Sequence, residues 1–151
     1  MQPTPLVTGD FVVPAGLSND LFVIEPLEAR HNVADHAAWT SSIDHIKATP
    51  GFAGRAWPND PMSLAENASD IVRHGQDFVA RTGFAYTVLD PASGVVIGCV
   101  YFYPPRRSGY DVDVRSWVRA DRAELDKPLH DVICGWLAEA WPFQKPDYAR
   151  R

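Results

Sequence analysis

Three sets of residues in this chain of 151 residues carry side chains able to do chemistry. The first is the run Tyr110 to Arg119, in which Asp111, Asp113, Arg115 and Trp117 alternate with Val112, Val114, Ser116 and Val118. A period of two places the acids on one face of a strand and the valines on the other. Asp111 and Asp113 are then either solvated carboxylates paired with Arg115 or part of a site. The second set is Arg122 and Lys127, in the turn Asp121 to Pro128 ahead of a helix. They are either a solvated turn or a pair able to hold phosphate. The third is Trp57, in the loop Arg55-Ala56-Trp57-Pro58, which either covers a pocket or packs beneath its loop.

Other chemistries are set aside. None of the five histidines forms a His-x-x-x-His pair, so no zinc site is expected. His45 is either a groove residue or a helix-surface histidine, and Arg106-Arg107 reads as an exposed turn. Cys99 and Cys134 lie in apolar segments without metal-ligand spacing and are expected to be buried, reduced thiols. No nucleophile elbow, Walker loop or dinucleotide fingerprint occurs.

These residues need elements to position them. Phe11-Val12-Val13 and Leu21 to Leu27 read as strands around the Pro14-Ala15-Gly16 break. Residues 28–48 read as helical, with Val33, Ala37, Ile43 and Ile46 on one face, and a loop follows from Gly51 to Pro61. Ser63 and Glu66 form a capping box. The helix behind it carries a stripe of Leu64, Ala68, Ile71, Val72, Gly75, Phe78 and Val79 and ends before Gly83. Residues 84–89, 95–103 and 110–119 form a three-strand meander, with Asp90 to Gly94 and Pro104 to Gly109 as its turns. Leu129, Val132, Ile133, Trp136, Leu137 and Ala140 mark a helix from about Asp126 to Pro142. The tail from Phe143 supplies one more short strand. The whole is expected to be one domain, 1–151, with a loose lead-in over 1–10.

Composition narrows the class. A hydrophobic share of 46% with 22% charged residues fits a folded domain rather than a disordered chain. The net charge of −5, without a basic block, argues against nucleic acid as partner. No apolar run reaches the length of a membrane span, and Met1 to Asp10 lacks the marks of a signal peptide, so a cytoplasmic location is expected.

The order strand, helix, helix, three-strand meander, helix, strand resembles the GNAT acyltransferase superfamily, over roughly residues 21–148. Val96-Ile97-Gly98-Cys99-Val100 is similar to that family's Ile-Gly step, here after the turn Asp90 to Gly94. Val114-Arg115-Ser116-Trp117-Val118 is similar to its central strand. The resemblance implies an α/β (α+β) fold with a mixed, mostly antiparallel sheet flanked by helices. It further implies N-acetyl transfer from acetyl-CoA to an amine of a small molecule or protein. Ser116, Trp117, Val118 and Arg119 would hold pantetheine, and the turn with Arg122 and Lys127 would hold the diphosphate. Asp113 would accept the amine proton, and Tyr148 would protonate the leaving thiolate.

The sequence departs from the family at the diphosphate turn. Asp121 to Pro128 contains no glycine, Pro128 has no amide to donate, and Glu124 and Asp126 add negative charge. Only ten residues follow Trp141, where the family usually continues with further elements. A second reading therefore stands beside the first: a non-catalytic GNAT-like module that binds a ligand or dimerises and does not use acetyl-CoA. In either case a shortened sheet would leave an edge for a second copy, giving a homodimer.

Overall fold

The computed structural model describes residues 4–58 and 62–151; the end of the loop expected up to Pro61 lies outside the described residues. Six strands form one sheet in sequence order: β1 (Leu17–Ser18), β2 (Val23–Pro26), β3 (Phe84–Leu89), β4 (Val96–Tyr103), β5 (Val112–Val118) and β6 (Pro146–Tyr148). Neighbours pair antiparallel except β5 and β6, which run parallel. The helices are α1 (Asn32–Thr40), α2 (Ile43–Ala48), α3 (Leu64–Ala80) and α4 (Asp126–Ala140), with 3-10 turns at Ala29–His31 and Ala120–Leu125. This is the expected mixed, mostly antiparallel sheet flanked by helices.

Alternation along the meander gives each sheet face its own core. On one face Tyr86, Val100, Phe102, Val112, Val114 and Val118 meet the α4 stripe of Leu129, Ile133, Trp136 and Leu137. On the other, Ala85, Cys99, Tyr101 and Trp117 meet Trp39 of α1, Ile46 of α2, Phe52 and Ile71 of α3. The Val88↔Gly98 register gives way to Leu89↔Val96, so Ile97 is an extra residue and joins the α4-side core out of turn. At Gly98 the sheet closes tightly: a Cβ there would lie 2.3 Å from the Trp117 carbonyl oxygen.

Several expectations need correction. Phe11-Val12-Val13 forms no strand. Phe11 and Val13 pack against the core as irregular chain, fixed by the Arg81 guanidinium, which donates to the carbonyls of Thr8 and Phe11. Residues 28–48 are a 3-10 turn and two helices, broken at Ser41-Ser42. Ser42 is buried there and accepts a hydrogen bond from the Ala120 amide at 2.8 Å, linking this break to the far end of β5. The inward face of α1 is Asp35, Ala38 and Trp39, while Val33 and Ala37 face out. The large indole decides which of two possible stripes is buried.

Helix α3 begins with the expected capping box: the Glu66 amide donates to Ser63 Oγ at 3.1 Å, and the Ser63 amide donates to Glu66 Oε1 at 3.0 Å. Its inward face is Asn67, Ile71, His74 and Phe78, whereas Leu64, Val72 and Val79 are exposed. The helix closes at Arg81, held at a φ of 65°, ahead of the glycine expected to end it.

Candidate functional site

The expected cofactor residues lie at the C-terminal end of β5. The β5–β6 register is Val112↔Pro146, Asp113↔Asp147 and Val114↔Tyr148, so Ser116, Trp117 and Val118 face no residue of β6. The Trp117 carbonyl points to Gly98 on β4, so by alternation the backbone groups of Ser116 and Val118 point into this gap. Arg151 fills part of it. Its buried guanidinium donates to the Ser116 carbonyl and the Ala149 carbonyl, both at 2.9 Å, and to Asp126 Oδ2 at 2.6 Å.

The turn that follows holds few free cations. Arg122 donates to Asp90 at 2.9 Å, Arg119 to Asp121 at 2.6 Å, and Lys127 to Asp131 at 3.0 Å. Arg122 and Asp90 thus tie the β3–β4 turn to the start of α4. The acids Asp121, Glu124 and Asp126 share this turn, as the sequence indicated.

Asp113 and Tyr148 do not meet. Tyr148 lies on the α4 face, where its hydroxyl is hydrogen-bonded to Ser116 Oγ and its ring lies 4.5 Å from that of His130. Burial raises the pKa of this phenol well above its ordinary value and keeps it protonated. Asp113 points to the opposite face and is buried, not solvated. It accepts from Arg55 Nη2 at 2.9 Å and has Arg115 Nε at 3.3 Å.

A cavity of about 190 Å³ lies on that opposite face, between α1, α3 and the centre of the sheet. Trp57 lines it, and its ring contacts those of Trp39 at 5.4 Å, Tyr101 at 6.2 Å and Trp117 at 6.1 Å. Of the two roles open to Trp57, wall of a pocket and filler beneath a loop, the residue serves both. Asp35, Asn67, Asp70, His74 and Arg115 supply the polar lining. Asn67 is the hub of the interior network: it accepts from Trp39 Nε1 at 3.0 Å and donates to Asp35 at 3.0 Å and Asn32 at 2.9 Å. Beside it, Tyr103 donates to Asp77 at 2.8 Å, which leaves its oxygen to accept from His74 Nδ1 at 2.7 Å. His74 Nε2 is 3.6 Å from Asp70, and this partner, with Arg73, lowers the Asp70 carboxyl to about 2 despite burial. Asp35 is shifted the other way: burial raises it, and the Asn67 amide offsets this only in part.

Sequence reasoning missed this polar interior. The signal was present in α3, where Asn67, Asp70, His74 and Asp77 recur with the spacing of Ile71 and Phe78 and so share a helical face with them. His45 does not line this cavity. Cys99 is buried as expected, but Cys134 is exposed on the outer side of α4, a correction to the paired burial expected of the thiols. Among the described residues no group of three or more His, Cys, Asp or Glu could hold a metal ion, and no helix is long and apolar enough to cross a membrane.

No family model and no characterised relative matches the chain by sequence. Solved structures match it by shape. An acetyltransferase from Bordetella pertussis described as GNAT-family superposes with a TM-score of 0.61 at 18% identity, over 83% of this chain and 71% of the other. The microcin C7 self-immunity acetyltransferase MccE, solved in complex with acetyl-CoA and AMP, gives 0.64 at 15% identity, over 84% of this chain and 67% of its own. A ribosomal-protein-S5-alanine acetyltransferase from Vibrio fischeri gives 0.62 at 11% identity, over 84% and 69%. At these identities the likeness is one of architecture, and the architecture of this chain is that of the GNAT acetyltransferases.

Proposed function

We propose that the protein is an acyl-CoA-dependent N-acyltransferase that uses acetyl-CoA and acylates an amine of a small molecule or protein. The observation that carries this reading is the gap between β5 and β6 beyond Val114 and Tyr148. The amide-bearing arm of pantetheine can bond to the backbone of Ser116 and Val118 there, as an added strand would. The far end of the gap meets the start of α4, whose dipole favours a diphosphate, with Arg119, Arg122 and Lys127 around it. In the reaction the amine nitrogen attacks the thioester carbonyl, the C–S bond breaks, the amine loses a proton and the thiolate gains one. Tyr148, protonated and bonded to Ser116 at the edge of the gap, is the proposed proton donor.

Asp113 takes a positioning role in this scheme. Its carboxylate is engaged by two guanidiniums, Arg55 at 2.9 Å and Arg115 at 3.3 Å, and holds the two side chains in place. Asp35, a buried carboxylate on the cavity wall whose one hydrogen bond among the described residues comes from Asn67, and whose pKa burial raises, is the proposed base.

A second reading is favoured by one feature. Arg151 occupies the Ser116 carbonyl, and Arg122 and Lys127 already have carboxylate partners, as a non-catalytic module would allow. Calorimetry with acetyl-CoA separates the two. Wild type is expected to bind, and Arg151→Ala to bind more tightly because the Ser116 carbonyl is released. The double variant Arg122→Ala/Lys127→Ala is expected to lose about tenfold or more in affinity, the worth of one charge-assisted phosphate contact. Absence of binding by both wild type and Arg151→Ala at millimolar acetyl-CoA would reject the enzyme and leave the module. Unchanged binding by the double variant would remove both side chains from the diphosphate site.

A further inference from the structure

Two poles of opposite charge face the cavity beneath Trp57. The positive pole is Arg115, whose side chain is 17% exposed. Its guanidinium lies over the rings of Tyr101 at 5.1 Å and Phe52 at 5.5 Å. Among the described residues its Nε is buried without a hydrogen-bond partner, because Asp113 lies 3.3 Å away but off the N–H direction. The shorter contact of Asp113, 2.9 Å, goes to Arg55, so one carboxylate serves two guanidiniums. Among the described residues the group is left with an excess positive charge.

The negative pole is Asp35, 5% exposed. Among the described residues its side chain accepts one hydrogen bond, from Asn67 at 3.0 Å, and no cation lies within ion-pair distance. Asp70 also lines the cavity, but the Arg73 guanidinium at 2.6 Å matches its charge. A charge of either sign held out of water without a partner is costly, and a ligand carrying both complements would relieve both poles. Between them the walls are the rings of Trp39, Trp57 and Tyr101. The volume of about 190 Å³ exceeds that of an engineered cavity of about 150 Å³ that takes up benzene, and it is too small for a nucleotide or folded peptide.

We propose that this cavity binds a small zwitterion of the amino-acid class, with its carboxylate on Arg115, its ammonium on Asp35 and its apolar side chain against Trp57 and Tyr101. A simple amine leaves Arg115 unmatched, and a simple carboxylate leaves Asp35 unmatched. That the bound amine is the acyl acceptor rests on the acyltransferase reading. Binding itself needs no CoA, so the two readings fail separately.

The test is calorimetry without acyl-CoA, using three probes of matched shape: norleucine, pentylamine and hexanoate. Norleucine is expected to bind about tenfold or more tightly than either of the others, because each lacks one charge-assisted contact. Arg115→Met should erase the advantage over pentylamine, and Asp35→Asn the advantage over hexanoate. Should either buried variant fail to fold, Trp57→Ala, in the covering loop, is expected to weaken norleucine binding. No saturable binding of norleucine at millimolar concentration by folded wild type would overturn the proposal. So would pentylamine or hexanoate binding as tightly as norleucine, or unchanged norleucine affinity in Trp57→Ala.

Discussion

Replacing Asp113 with Asn removes the one carboxylate that Arg55 and Arg115 share. The two guanidiniums then face each other without a countercharge among the described residues, at side-chain exposures of 15% and 17%. Removing one member of a buried ion pair costs about 3–5 kcal/mol, since the remaining charge is stranded. Here the arginines keep some solvent, and the asparagine oxygen still accepts from Arg55, so the lower end applies, about 3 kcal/mol. For a domain of this size each kcal/mol moves Tm by about 2–4 °C, giving a fall of about 6–12 °C. Thermal denaturation followed by circular dichroism reads this directly. The double variant Asp113→Asn/Arg55→Met should recover part of the loss, because it removes one of the two repelling cations, with a coupling of about 1–3 kcal/mol. An Asp113→Asn protein melting within a degree of wild type would refute the argument, and a fall in turnover without a fall in Tm would restore the carboxylate to a chemical role.

Three further outcomes are expected. The Asp70 carboxyl, lowered in the folded state to about 2, contributes stability that is present above about pH 4, its unfolded range, and is lost as pH falls toward about 2. With the side chain 32% exposed, this amounts to about 1 kcal/mol, measured as the urea stability of wild type minus that of Asp70→Asn, and a difference that persists at pH 2 would count against it. Gly98→Ala drives a methyl into the Trp117 carbonyl and should destabilise by about 1–3 kcal/mol in the same assay, whereas an unchanged Tm would mean that β4 and β5 separate there freely. The outer edge of β6, beside Phe143 and Pro146, should recruit a second copy, so light scattering at micromolar concentration should give twice the chain mass, and a single-chain mass would contradict this.

The sequence alone determined the elements whose patterns are local. The α4 stripe is unambiguous because Leu129, Ile133, Trp136 and Leu137 lie on one face and no polar residue competes for it. The meander follows from two-residue alternation between turns rich in glycine and proline, and the start of α3 from a capping box closed within four residues. The faces of α1 and α3 were not legible in the same way. Val33 and Ala37, like Val72 and Val79, are as apolar as the residues that are buried, and only contact with the sheet selects Trp39, Asn67 and His74 instead. Burying Asn67 requires Trp39, Asp35 and Asn32 as hydrogen-bond partners, two of them more than thirty residues away, and one-dimensional periodicity carries no trace of such a partner set. The same holds for Asp113 and Arg115. Their alternation with valine predicts a strand face, and a solvated one is the simplest case. The loop that brings Arg55 and Trp57 over that face converts it into a buried ion pair and the wall of a cavity. Local spacing sets which residues share a face, and the burial of that face, with the charges it leaves unmatched, is decided by segments far away in the chain.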